Sequence, residues 1–159
     1  MMNVSIIAVG KLSEKHWSSA ANEYIKRLGA FCKIDIIEIA EARLPKNPSQ
    51  GEIAKAVESE GKAILAKIPA KAHIISMCIE GKGISSEALA KKIDDTASAT
   101  SSIAFIIGGS HGIWETIKEK SQLKMSMSAM TFPHQLARVM LLEQVYRAFT
   151  INSGLPYHK

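Results

Sequence analysis

Three short stretches of this chain carry side chains whose types and spacing can do chemistry. FIIGGSHG, residues 105–112, runs three bulky apolar residues into Gly108, Gly109 and Gly112, with Ser110 and His111 between them. An apolar strand that ends on glycines lets something approach its backbone closely, because glycine has no Cβ. FPHQLARVMLLEQVYRAF, residues 132–149, reads as a helix on which His134 and Arg138 share one face and Glu143 and Arg147 another. The second pair, acid before base, suits an i,i+4 ion pair worth about 0.3–0.5 kcal/mol. LPYHK, residues 155–159, closes the chain with Tyr157, His158 and Lys159: a ring that can stack on a base, an imidazole, and a cation that can meet a phosphate.

Known phosphate loops do not fit the glycine stretch. It is GGxxG, whereas the dinucleotide fingerprint needs GxGxxG, and no GK[ST] follows. A nucleoside-type ligand held through backbone groups remains compatible, and so does a tight turn made for the chain's own packing. Between the two regions, Met125, Met127 and Met130 alternate loosely with Ser126, Ser128 and Thr131. Those methionines suit an adaptable core, while Ser128, Thr131 and nearby backbone groups can read a purine edge. Cys32 and Cys78 sit in or beside apolar runs and read as buried, reduced thiols. The five histidines form no HxH or HxxxH pair, and no Cys/His spacing suits zinc, so no metal is expected.

These residues need a scaffold, and the apolar periodicity supplies one. Strands are expected at 4–9, 33–41, 73–80, 102–109 and 124–130. Helices are expected at 13–28 with Ser13 as N-cap, at 51–68, from a Ser85 or Ser86 cap to 96, at 112–120, and from Pro133 at N1 to 151. Residues 41–50, with two prolines, read as a loop, and 152–159 as an irregular tail. Strictly alternating strands and helices predict one α/β domain over 1–159, with a mostly parallel sheet covered by helices on both faces. The ends of the third, fourth and fifth strands would then share one crevice, where parallel sheets place their ligands.

Composition bounds the function classes. The chain has 159 residues, 47% of them hydrophobic, and a formal charge of +5 that permits an RNA partner without requiring one. No apolar run approaches the ~20 residues that span a bilayer. The first residues, MMNVSIIAVGK, read as a strand rather than a signal peptide. A cytoplasmic protein is expected.

VSIIAVGK, IIGGSHG, SMSAMTFPHQLARVMLLEQVYRAF and the closing PYHK, taken in order along essentially the whole chain, resemble the RlmH family of SPOUT-class ribosomal RNA methyltransferases. The resemblance implies an α/β fold with a C-terminal trefoil knot that holds S-adenosylmethionine. It also implies a homodimer that methylates N3 of a pseudouridine in 23S rRNA on the assembled 70S ribosome. By motif position, the cofactor would meet Met77, where leucine is expected, Gly108, and the run Met127, Ser128, Ala129, Met130, Thr131 and Phe132. Arg138, Tyr157 and His158 match positions associated with RNA binding or chemistry, and His111 receives no role.

The chemistry so implied is economical. The imide N3 of pseudouridine becomes a good nucleophile once deprotonated, and the sulfonium methyl is already activated, so no metal is needed. His158 is the candidate general base, and Arg138 can stabilise negative charge developing on the ring. A tail too short for its own crevice could serve a partner's. Two other readings stay open: a knotted methyltransferase acting on another RNA base, and a non-catalytic ribosome-binding factor on the same fold.

Overall fold

A computed structural model describes residues 1–159. Along the chain run β1 (Met2–Val9), α1 (Lys15–Leu28), β2 (Cys32–Ile39), α2 (Gln50–Leu65), β3 (His73–Gly83), α3 (Ser86–Ala99), β4 (Ser102–Ile107), α4 (Glu115–Lys120), β5 (Leu123–Ser126) and α5 (His134–Asn152). The five strands form one sheet in the order β2-β1-β4-β3-β5, and every pairing is parallel. The expected alternation of elements and the parallel sheet are therefore both present.

The central strands explain themselves. β1 and β4 are buried along almost their whole length, which is why IIAV and IAFII are continuous apolar runs. Val4, Ile6, Ala8, Ile103 and Phe105 face one way and pack with Leu28 of α1, Leu89 and Ile93 of α3, and Leu141, Leu142 and Val145 of α5. Ile7, Val9, Ala104 and Ile106 face the other way, against Ile64 of α2 and Ile117 of α4. Helices thus cover both faces. The edge strand β2 mixes buried Cys32 and Ile39 with exposed Lys33, Asp35 and Glu38.

Several element ends differ from expectation, each for a local reason. Ser13 does not cap α1: Glu14 holds the N-cap position, and its backbone N–H donates to Gln135 Oε1 of α5 at 3.3 Å. Ser49, read as loop, caps α2 in a reciprocal box with Glu52, each backbone N–H bonded to the other's side chain at 3.1 Å. Pro133 stands one place earlier than N1, and its carbonyl accepts from Ala137 N at 2.9 Å. β5 stops at Ser126, four residues short of the expected 130, and the chain then leaves the sheet. β3 continues past its expected end to Gly83 by way of a bulge, so that Met77 and Lys82 both stand opposite Met125. Cys32 is buried, and burial pushes its thiol up to about 11. Cys78, expected to be buried, lies in the bulge and is only half-buried.

Candidate functional site

A cleft of about 530 Å³ opens beyond the carboxyl ends of β3, β4 and β5, as the strand reading expected. Its walls are the β3 bulge (Met77 to Glu80), the glycine turn after β4 (Gly108 to Ile113), Lys118 of α4, and the segment from Met125 to Phe132. Seven of the eight residues assigned to a cofactor line it: Met77, Gly108, Met127, Ser128, Met130, Thr131 and Phe132. Ala129 belongs to the same segment without lining the cleft.

The glycine turn is shaped first by its own chain. A Cβ on Gly108 would sit 2.7 Å from the carbonyl carbon of Gly112 and 2.8 Å from Ile113 Cγ1. The turn closes through Gly112 N–H to Gly109 O at 3.1 Å, and Gly112 has φ +87°, the left-handed region that glycine tolerates best. What comes close to this backbone is therefore the turn itself, and its outer side is left to form the cleft floor. Under Gly109 lies Glu60, buried, whose carboxylate accepts Ala42 N–H at 2.9 Å. Burial raises its pKa even against that bond.

Residues 127–132 make no backbone–backbone hydrogen bond. Two of their backbone groups are served locally: Ser126 Oγ donates to Ser128 O at 3.0 Å, and Met130 N–H donates to Ser128 Oγ at 3.1 Å. The remaining amides and carbonyls are unpaired within the chain. A planar heterocycle with donors and acceptors on its edge is the kind of ligand such a segment accepts.

A second, more polar cleft of about 260 Å³ adjoins the first, sharing Ile107, Gly109, Ser110 and His134. It lies at the carboxyl ends of β1 and β4, where the strand order reverses. Arg138 lines it, yet only 5% of its side chain is exposed. Its guanidinium donates to Glu38 Oε2 at 2.5 Å and to the Gly10 carbonyl at 3.0 Å.

Tyr157 and His158 line neither cleft. They pack beside the middle of α5, where Arg147 and Glu143 form the expected ion pair at 2.5 Å. Tyr157 donates its hydroxyl to Glu143 Oε1 at 3.1 Å. Burial, followed by that carboxylate, pushes its phenol up to about 12, so Tyr157 is a proton donor and not a base near neutrality. His158 Nδ1 stands 3.2 Å from Arg147 Nη1, and Nε2 stands 2.7 Å from Glu87 Oε1. An arginine only donates, so Nδ1 is the acceptor and Nε2 carries the proton toward Glu87. The bond to His158 holds the Glu87 carboxyl below its usual range.

Sequence reasoning passed over several residues of this region. Glu80 and Lys118 are the cleft's charged side chains, brought together by an ion pair between β3 and α4. Ile79, 85% exposed, stands on its lip. The signal for the bulge was the unalternating run MCIE ahead of Gly81.

The chain is similar to known proteins of one family. The family described as "Predicted SPOUT methyltransferase" matches residues 2–158. A Methanococcus maripaludis (strain C5) protein, named provisionally as ribosomal RNA large subunit methyltransferase H, is 51% identical over 99% of this chain and 100% of its own. A Clostridioides difficile (strain 630) protein named ribosomal RNA large subunit methyltransferase H is 46% identical over the same shares. Among solved structures, a methylase family protein from Haemophilus influenzae Rd KW20 superposes with a TM-score of 0.54 at 12% identity, covering 99% of this chain and 70% of that one. That last likeness concerns the fold alone.

Proposed function

The chain belongs to the SPOUT methyltransferase family, and from that membership we propose that it transfers a methyl group from S-adenosylmethionine to N3 of a pseudouridine in 23S ribosomal RNA, acting in the cytoplasm on the assembled 70S ribosome as a homodimer. The names of two relatives 51% and 46% identical over their full length support ribosomal RNA as the substrate. The observation that carries the donor assignment is the cleft itself, where the unpaired backbone of residues 127–132 faces the strand ends at Met77 and Gly108. Its volume suits a nucleoside-sized ligand.

When bound, S-adenosylmethionine supplies an electrophilic methyl on a sulfonium sulfur. The chain's task is to align and to move a proton. In this reading Met77, Gly108, Met127, Ser128, Ala129, Met130, Thr131 and Phe132 hold the donor. The second cleft receives the target base within reach of the first, which fits the boundary residues they share. Arg138, enclosed by Glu38 and Gly10, stabilises negative charge on the base through its field rather than by direct contact.

His158 takes the N3 proton on Nδ1, giving up the bond from Arg147, and Tyr157 contacts the RNA, both from the tail of the second protomer. Support for the exchange is distance: Arg147, which holds the tail, lies 13 residues beyond His134, about 20 Å along a helix. The C-terminal segment is threaded as a trefoil knot in this reading.

The test is incubation with tritiated S-adenosylmethionine and either 70S ribosomes or ribosomes from a strain lacking the pseudouridine. Label at one pseudouridine in the first and none in the second is the expected result. Efficient labelling of naked 23S RNA would overturn the ribosome requirement. Label on another base would overturn the target.

A further inference from the structure

Lys118 and Glu80 are joined across the wall of the main cleft, one from α4 and one from the β3 bulge. They are the only Asp, Glu, Lys or Arg side chains that line it. Lys118 is 15% exposed and Glu80 48%, so the ammonium is drawn into the wall while the carboxylate keeps an open side. Burial works against the Lys118 charge, but the hydrogen bond and charge of Glu80 outweigh it and raise its pKa. Glu80 is held low, first by the same bond. Both groups are therefore charged across the neutral range. A second carboxylate, Glu115, stands 3.9 Å from the ammonium, so Lys118 retains a partner if Glu80 turns away.

The other lining residues are apolar side chains, glycines, hydroxyls and two histidines, a surface that suits the heterocycle and sugar of an adenosyl donor and offers no second pair of fixed charges. Such a donor also carries an α-ammonium and an α-carboxylate at its amino-acid end, and a zwitterion needs a counter-zwitterion. We propose that the Lys118–Glu80 pair is the recognition site for that amino-acid end: Glu80 receives the α-ammonium and Lys118 the α-carboxylate, each exchanging its present partner for the ligand's opposite charge. The exchange replaces one ion pair by two, so it selects the zwitterion without leaving an unpaired charge in the wall. The pair thereby distinguishes full-length adenosyl amino acids from truncated adenosyl thioethers. This inference rests on the adenosyl donor assigned above.

The test compares two ligands by calorimetry: S-adenosylhomocysteine, which has the amino-acid end, and 5′-methylthioadenosine, which lacks it. Lys118→Met and Glu80→Gln are each expected to weaken S-adenosylhomocysteine about tenfold, the worth of one charge-assisted hydrogen bond. Both are expected to leave 5′-methylthioadenosine binding unchanged. Lys118→Arg, which keeps the charge, is expected to recover most of the loss. Equal losses for both ligands would make the pair a structural clip between α4 and β3 and overturn the proposal, as would unchanged binding of S-adenosylhomocysteine by Lys118→Met. If the wild-type protein binds neither ligand, the adenosyl donor itself is refuted and the proposal with it. Wild-type binding with insensitive variants refutes the pair alone.

Discussion

Arg138 at the start of α5 and Glu38 at the end of β2 lie 100 residues apart in sequence and meet at 2.5 Å. The same guanidinium donates to the Gly10 carbonyl, and the same carboxylate accepts Leu12 N–H at 3.2 Å. Two residues thus tie the turn after β1, the end of β2 and the second turn of α5 around the second cleft. Arg138 is nearly enclosed, whereas Glu38 keeps 36% of its side chain exposed. Arg138→Met leaves the Gly10 carbonyl and Glu38 without their donor, and is expected to cost about 3 kcal/mol. Glu38→Gln still accepts hydrogen bonds beside solvent, and is expected to cost about 1 kcal/mol. Urea denaturation of the two variants measures the difference. Equal costs would show that enclosure of the guanidinium is not what holds the turn.

Gly108 offers a sharper contrast with its neighbours. An alanine there drives its Cβ into the Gly112 backbone at 2.7 Å, and a backbone cannot step aside as a flexible side chain does. Gly108→Ala is expected to lose about 1–3 kcal/mol of stability and to weaken adenosyl-ligand binding, because relief requires moving the cleft floor. Gly83→Ala, with nothing within 4 Å, is expected to be nearly neutral. Thermal melts with and without S-adenosylhomocysteine separate the two effects.

How much of this was legible beforehand follows from what each feature depends on. The continuous apolar runs of β1 and β4 are dictated by burial on both faces, and their alternation with helical periodicity exposed the parallel sheet. The shared crevice followed from three strand ends carrying small or hydroxyl residues, and the cleft formed there. Element ends were less legible, because tertiary contacts decide them: α1 begins where Gln135 of a distant helix accepts the Glu14 amide. The Lys118–Glu80 pair joins residues 38 apart, with α3 and β4 between them, which no local periodicity announces. Arg138 was legible as a residue of interest, but its commitment to Glu38 and Gly10 required the sheet to be assembled.

Glu60 makes stability depend on pH in a direction opposite to that of most carboxylates. Burial beneath Gly109 raises its folded pKa above the unfolded value, so the folded state binds the extra proton between those two values. Stability is then greatest when Glu60 is protonated and falls as pH rises through that window. Glu60→Gln keeps an oxygen to accept Ala42 N–H and carries no charge. It is expected to melt at a higher temperature than the wild type at pH 8 and at nearly the same temperature at pH 4. A variant that is destabilised at both pH values would mean that the carboxylate contributes more through Ala42 than its burial costs.

The placement of the tail leads to a test of how two protomers share their work. In one chain His158 is held by Arg147 and Glu87, with neither ring nitrogen free and no contact with the cleft. If each tail serves the partner's cleft, a protein cut after Pro156 and a full-length Gly108→Ala protein, assayed at a donor concentration that leaves its weakened cleft empty, are each inactive alone but complementary when mixed. Random pairing makes half of the dimers mixed, and each mixed dimer carries one cleft with Gly108 opposite one intact tail. Methyl transfer to 70S ribosomes is then expected to recover to about a quarter of the wild-type rate. A mixture that stays inactive, with mixed dimers demonstrated by mass spectrometry, would mean that each tail must swing to its own cleft. That requires the segment after Asn152 to release Glu87 and cross the length of α5, and His158→Ala would then abolish activity without any rescue in the same mixing experiment.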